Sequence, residues 1–408
     1  MALANALEMY DFQVFGYYAP AIAATFFPAT SPYVSLLLSF MTFGAGFLMR
    51  PLGAIVLGTY MDHRGRRAGL LLSLASMAIG TLAIACLPGY ATLGIAAPLL
   101  VLAGRLLQGF SAGAELGGVS VYLFEIAPSQ RQGFYVSWQS ASQQVAVMLA
   151  AVLALVLGST LDPARLEQWG WRLALLAGCA LLPVFFYLRR SLEETPAFQA
   201  RPTRPGPREI VHSLARNWLS IGLGTGMSLM TIVSFYLATT FTPTYGTTVL
   251  HLESTGVLST MMCVGALSLL VLPLSGALSD CIGRRPILIA CSLATLFSVY
   301  PALLWLVAQP SLARLLLVEL WFAFLYAAYT GAVGVYVIEM MPPEIRTVGF
   351  ALAHSLAGAI FGGFTPAIAT YLIHATGNAA APGLWLSLAA LAALGCAIGL
   401  GRRRTPLS

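Results

Sequence analysis

The sequence predicts an all-α membrane protein with twelve transmembrane helices in two pseudo-symmetric six-helix bundles. Three observations carry that expectation. Of the 408 residues, 58% are hydrophobic and only 9% charged, where a soluble domain carries about 25% charged residues. Apolar stretches of roughly 20 residues, enough to cross a hydrocarbon core of about 30 Å, recur from end to end. A charged turn occurs twice, as GTYMDHRGRR at 58–67 and GALSDCIGRR at 276–285. Backbone groups in lipid must be paired within their own segment, so each stretch is expected to be helical. The alternating segments of about ten residues that mark a membrane β-barrel do not occur.

Taken in order, the apolar runs between charged or Pro/Gly breaks place the spans. Span 1 (4–27) begins almost at Met1 and carries Glu8 and Asp11, so it reads as a true first helix rather than a cleavable signal. Span 2 (33–60) carries Arg50 and closes on the first charged turn. Span 3 (68–88) precedes span 4 (93–126), which holds Arg105, Gln108 and Glu115. Span 5 (133–159) carries Gln139 and Gln143, and span 6 is 171–188. The long polar stretch 189–216, rich in arginine and proline, reads as a cytoplasmic linker. Span 7 (217–243) carries Tyr236. Span 8 (255–279) closes on the second charged turn. Then come span 9 (286–308), span 10 (313–341) with Tyr326 and Tyr329, span 11 (347–374) with His354, and span 12 (381–401). The expected units are therefore bundles at 1–188 and 217–401, joined by 189–216 and followed by a tail at 402–408.

Lysine is absent, so the net charge of +6 comes from arginine. Arginines crowd the turns after even-numbered spans, the 189–216 stretch and the tail. The opposite side holds only Arg165, Arg172 and Arg314. By the positive-inside rule both termini are cytoplasmic, in a multi-pass protein of the cell inner membrane. The same rule accounts for the basic balance without nucleic acid as a partner. Six scattered cysteines form no CxxC or Cys/His cluster, so neither a metal nor a disulfide is expected.

The two halves repeat. Gly58, Asp62, Gly65, Arg66 and Arg67 match Gly276, Asp280, Gly283, Arg284 and Arg285 at one offset of 218. A weaker pair, EIAPSQRQGF at 125–134 and EMMPPEIRTVGF at 339–350, supports this. A twofold repeat of six helices implies a substrate site near mid-membrane between the halves, exposed alternately to each side. The arginines of the two turns anchor topology, but a fixed Asp before Gly-Arg-Arg in both halves points to a conformational latch. Asp62, Arg66, Arg67, Asp280, Arg284 and Arg285 are the expected cytoplasmic gate.

Each charge inside lipid costs from about 3 kcal/mol upward and is a functional hypothesis. Glu8 and Asp11, three residues apart, share a helix face. Arg50 lies eight residues, roughly 12 Å, from the cytoplasmic end of its span. Arg105, Gln108, Ala112 and Glu115 fall in one stripe, which is expected to face a water-filled cavity. Further stripes are Gln139, Ser142 and Gln143; Tyr236, Thr239 and Thr240; Glu319, Tyr326, Tyr329, Thr330 and Tyr336; and His354, Gly358, Phe361 and Thr365. Hydroxyls in such stripes also bond their own helix or glue helices together, and the glycines at 109–118 and 360–364 serve close packing.

The repeated G-x-x-x-D-x-x-G-R-R turns resemble those of the major facilitator superfamily, over the whole chain. NALEMYDF at 5–12, FLMRPLGAIVLG at 47–58 and GRLLQGFSAGAELGG at 104–118 resemble its metabolite:proton symporter branch. VSWQSASQQVA at 136–146, TPTYG at 242–246 and IFGGFTPAI at 360–368 are similar to the proton-coupled citrate/tricarballylate transporters. His354 is a departure, standing where that branch has an apolar residue. The resemblance implies a secondary active transporter importing a tricarboxylate with protons, without a cofactor, as a monomer. The expected substrate-binding residues are Arg50, Arg105, Gln108, Gln139, Gln143, Tyr236, Tyr326, Tyr329 and His354. Arginine suits a carboxylate because its planar fork can hold both oxygens. The resemblance also pairs Asp11 with Arg105. Protonating Asp11 would then release Arg105 to the substrate, coupling proton to anion; Glu8 and Glu115 are the further candidates for the proton.

Other readings keep the fold and change the cargo, to a dicarboxylate, α-ketoglutarate, an aromatic acid or a betaine-like solute, or reverse the direction to export. An enzyme would need a nucleophile–base set or a metal cluster, and a sensor would need an added soluble domain. An ATP-driven pump would need a phosphate loop, and no glycine run follows a strand.

Overall fold

The computed structural model describes residues 2–64, 66–180 and 207–401; at 2–8, 62–64, 66, 67 and a few further positions it describes the backbone alone. The described helices follow the expected order. Helix α1 is built of Ala2–Tyr17 and Ala19–Phe26, α2 of Pro32–Phe47 and Arg50–Arg64. Then come α3 (Arg66–Cys86), α4 (Ala96–Ile126), α5 (Gln132–Thr160) and α6, described over Trp171–Ala180. The second half runs through α7 (Trp218–Val249), α8 (Ser254–Ile282), α9 (Arg284–Ala308), α10 (Leu312–Met340), α11 (Arg346–Thr376) and α12 (Pro382–Gly401). Among the described residues, nine helices are long and apolar enough to cross a membrane. The arginine-rich turns define an inner face, and the turns between α1 and α2 or α7 and α8 an outer face.

Three boundaries differ from the sequence expectation for local reasons. Helix α4 starts at Ala96 because Gly94, at φ 56°, cannot extend it outward. Helix α7 continues past Pro243 to Val249, because π-helical segments at Tyr236–Phe241 and Tyr245–Val249 absorb the proline. Part of the expected linker is also ordered: Pro207–Arg216 is a helix, with proline at the first position, where its missing N–H costs nothing. Its Leu214 is buried in the same apolar cluster as Ile338, Met341 and Ile345. Residues 189–206 lie outside the described residues.

Among the described residues, four of these helices are interrupted along their length. Helix α1 breaks at Tyr18, before Pro20, and α2 at Leu48–Met49, before Pro51. Helices α7 and α11 carry π-helical turns, the latter at Gly358–Gly362. These four helices meet across the two halves, with α1 on α7 and α2 on α11. Helix α5 packs along α8, and α4 reaches α11 on the inner side. Within the first half, α2 and α4 approach backbone to backbone. A Cβ on Gly109 would overlap the Gly46 carbonyl, one on Gly53 that of Phe110, and one on Gly113 that of Arg50. That contact fixes the α2 break, and with it the direction of Arg50.

Candidate functional site

A cavity lies between the halves. Arg50 of α2, Gln139 and Gln143 of α5, Tyr236 of α7, Tyr326 of α10 and His354 of α11 all line it. Six of the expected substrate ligands therefore converge from five helices in two halves. Gln139 is buried; its Oε1 accepts from the Ser140 hydroxyl at 3.0 Å, while its Nε2 has no partner. Tyr326 accepts from Gln144 Nε2 at 3.5 Å. The cavity measures about 50 Å³. That is room for a few waters at about 10–15 Å³ each, well short of the roughly 300 Å³ of an ordinary ligand pocket.

The contraction has a visible cause. On the outer side the Arg50 guanidinium carbon lies 4.0 Å from the centre of the Phe47 ring and 5.0 Å from that of Phe12. Phe47 packs edge-on against Tyr236 at 5.0 Å, and Phe43 against Phe12 and Tyr236 at 5.8 Å each. Farther out, Phe40 meets Phe241 at 6.3 Å and Tyr33 stacks on His374 at 3.9 Å, both across the halves. The Phe12, Phe43, Phe47 and Tyr236 rings therefore cover the inter-half cavity on this side.

The inner side is closed by polar contacts. Asp280, at the end of α8, accepts from the backbone N–H of Gly133 at 2.9 Å and of Phe134 at 3.0 Å. These are unsatisfied donors in the first turn of α5, so a carboxylate from one half caps a helix of the other. Arg284 holds Asp280 at 2.7 Å and reaches Glu339 at 3.2 Å. Arg285 is not in this cluster. It donates to the Ala397 and Ile398 carbonyls at 3.1 Å, at the end of α12. On the opposite flank, Arg346 of α11 stacks over Phe124 of α4 at 5.1 Å. The side chains of Asp62, Arg66 and Arg67 lie outside the described residues.

Three expected ligands sit elsewhere. Arg105 is fully buried; its Nη1 donates to Asp11 Oδ2 at 3.0 Å and to Gln108 Oε1 at 2.8 Å. Gln108 donates onward to Thr81 at 2.9 Å. The Arg105 guanidinium stacks on Phe15 at 3.8 Å, and the Phe12 ring lies 5.7 Å from it and 5.0 Å from the Arg50 guanidinium. Glu115 accepts from Ser73 of α3 at 3.2 Å. The expectation that the Arg105–Gln108–Glu115 stripe faces a water-filled cavity is thus corrected. That face of α4 packs against α1 and α3, and the Arg105 guanidinium lies over the Phe12 and Phe15 rings. Tyr329, also fully buried, donates to the Met227 carbonyl at 2.9 Å and ties α10 to α7. The side chain of Glu8 lies outside the described residues.

Other lining residues escaped the sequence reading. Ser228 and Thr231 reach the cavity from α7, and Thr330 of α10 donates to Thr231 at 3.2 Å. Their spacing of three residues was available as a signal. Of the α7 stripe read from sequence, Tyr236 reaches the cavity, whereas Thr239 donates to its own helix at Phe235 and Thr240 to Gln13. Among the described residues, no group of His, Cys, Asp and Glu could hold a metal ion.

Comparison with known proteins agrees with this architecture. A family model described as Major Facilitator Superfamily matches residues 1–355. A citrate-proton symporter of Salmonella typhi is 54% identical over 96% of this chain and 90% of its own length. One of Klebsiella pneumoniae is 51% identical over 98% of this chain and 90% of its own. Among solved structures, a D-xylose-proton symporter superposes with a TM-score of 0.76 at 20% identity, covering 96% of this chain and 95% of that one. Two pseudo-symmetric six-helix bundles, an inter-half cavity and this similarity make one conclusion: the chain belongs to the major facilitator superfamily.

Proposed function

We propose that this protein is a secondary active transporter that imports a tricarboxylate, citrate or tricarballylate, together with protons by alternating access. The observation that carries the reading is the meeting of Arg50 and His354, from opposite halves, on one cavity with Gln139, Gln143, Tyr236 and Tyr326, in a chain so similar to citrate-proton symporters. Arg50 offers a planar fork for one carboxylate. His354 and the Gln139 amide serve a second from other directions. One permanent cation cannot balance three charges, so amide and hydroxyl donors carry the rest, or a partly protonated anion is the bound form. Because the ligands come from both halves, binding draws the bundles at 1–188 and 217–401 together across the 189–216 linker.

Proton coupling resides in the Asp11–Arg105 pair. Phe12 lies one residue from Asp11 and packs against both guanidinium groups, so a change in the pair moves α1 at the cavity wall. Direct release of Arg105 to the substrate would require the Phe12 ring to swing aside first. The inner gate is the Asp280 cap on α5, and the repeat assigns Asp62 the matching place at the start of α11. The protein works as a monomer with both termini in the cytoplasm.

The experiment is uptake into proteoliposomes under an imposed pH gradient, with citrate, tricarballylate, α-ketoglutarate and betaine. Tricarboxylate accumulation that collapses with the gradient is expected. Accumulation of α-ketoglutarate or betaine in its place would overturn the substrate assignment.

A further inference from the structure

Glu319 is a buried acid that the transport reading above does not use. It sits on α10, seven residues or about 10 Å from the outer end, and is 3% exposed. No described ion pair includes it. Its Oε1 meets the Thr242 hydroxyl at 2.8 Å, and its Oε2 has no partner. Among the described residues, the polar groups beside it are hydroxyls. Tyr245 of α7 donates away to the Ala379 carbonyl, and Tyr17 of α1 to that of Val147. Helix α8 packs on this part of α10 through Met261 and Val264, and α5 through Ala151. On α10 itself, Arg314 turns outward to the Trp305 carbonyl and Gln309.

Hydrogen-bond accounting decides where the proton is. The Thr242 hydroxyl lies 3.0 Å from the Leu237 carbonyl as well as 2.8 Å from Glu319. A hydroxyl has one proton to give. With Glu319 ionised, two acceptors would compete for it, and an unpaired carboxylate would be left in an apolar site at a cost of several kcal/mol. With Glu319 protonated, its carboxyl donates to Thr242, and Thr242 donates to Leu237. Every contact is then matched.

Leu237 and Thr242 are the two ends of the π-helical turn in α7, whose backbone bond runs from Thr242 N–H to the Leu237 carbonyl. The next residues, Pro243 and Thr244, separate Glu319 from the outer surface. Both border one outer cavity of about 390 Å³, and Thr244 borders a second of about 690 Å³. Thr244 Oγ1 is itself buried without a partner.

We propose that Glu319 is a second proton-loading site, in the C-terminal half and separate from Asp11–Arg105, whose protonation from the outer side lets the α7 segment Thr242–Val249 seat and close the outer entrance. A water in the outer cavity delivers the proton as α7 lifts, and the carboxyl O–H returns it to water when α7 lifts again. Ionised, Glu319 holds the entrance open by its need for water. The inference rests on the proton-symport reading, because it assigns one more protonation to the same cycle.

The test is substrate exchange across proteoliposomes at equal pH on both sides, from pH 6 to pH 9. The readout is the ratio of the E319Q rate to the wild-type rate, in which substrate ionisation and other groups cancel. Glutamine mimics the protonated acid, so the ratio is expected to rise at least about tenfold over this range, the change one titrating group gives per pH unit. A ratio that stays flat overturns the proposal. Thr242→Val gives an independent reading if E319Q folds poorly. Loss of the acceptor for the carboxyl proton should make exchange fail at lower pH than in wild type, and an unshifted profile counts against Glu319. Gradient-driven accumulation by the wild type tests the parent reading separately: its absence sinks proton symport, whereas a flat ratio sinks only the role of Glu319.

Discussion

At the scale of single residues, the site separates two jobs that sequence alone merged. Arg50 stands on the cavity, and Arg105 stands behind a ring with its own acid. Truncating Arg50 should therefore affect binding directly. Arg50→Ala is expected to weaken tricarboxylate binding by about 2–5 kcal/mol, roughly 30-fold or more in Kd. Titration calorimetry on the purified protein reads this, and an unchanged Kd removes Arg50 from the site. Asp11→Asn should act differently. It breaks the pair with Arg105 without touching the cavity, so exchange is expected to persist while uphill, gradient-driven accumulation is lost. Normal accumulation in that variant would end the coupling role of Asp11. The sequence exposed these residues because charges in lipid are rare. It could not show that Phe12 packs against both arginines and Phe15 against Arg105, because an aromatic on an apolar helix looks the same facing a cavity, a cation or lipid.

At the scale of elements, the α2–α4 contact holds Arg50 in place. A side chain at Gly113 would meet the Arg50 carbonyl itself. Gly113→Val is expected to lower thermal stability by about 1–3 kcal/mol through overpacking and to abolish binding as Arg50 shifts. Gly222→Ala is the control, since nothing lies within 4 Å of its added carbon. Melting of both variants in detergent checks this, and equal melting temperatures would show that the close approach is dispensable. The helices themselves were legible, because a 20-residue apolar run in lipid has one outcome. Their interruptions were less so. Prolines marked the breaks in α1 and α2. Pro243 follows the π-helical turn at 236–241 without ending the helix, and the turn at 358–362 is set by what packs across it: Gly362 lies against Ile232, and Gly363 against Phe47.

At the scale of the molecule, the proposed inner gate is an equilibrium device. Asp280 gives two charge-assisted hydrogen bonds to the start of α5 only while the halves touch there. Such bonds contribute about 1.5–3 kcal/mol each. Asp280→Asn keeps the shape and weakens them, so the inner side should open more often, by about tenfold for each 1.4 kcal/mol lost. Labelling of a cysteine placed at Val333, on the cavity wall, is expected to speed up from the inner side while substrate affinity changes little; unchanged labelling would remove Asp280 from the gate. The repeat in sequence located this aspartate and its arginine, because a latch needs the same charges at the same helix end in both halves. It did not separate Arg284, which holds Asp280, from Arg285, which caps α12. The sequence by itself determined the membrane class, the helix order and the ionisable residues, since each of these follows from the price of charge and unpaired backbone in lipid, and its repeated turns carried the resemblance to the family. Only the tertiary structure decided which of those residues share a cavity, that Arg105 and Asp11 do not line it, and that the Thr242 hydroxyl meets both Glu319 and the Leu237 carbonyl. Those facts depend on which faces of distant helices meet, and packing across two halves leaves no period in a single chain.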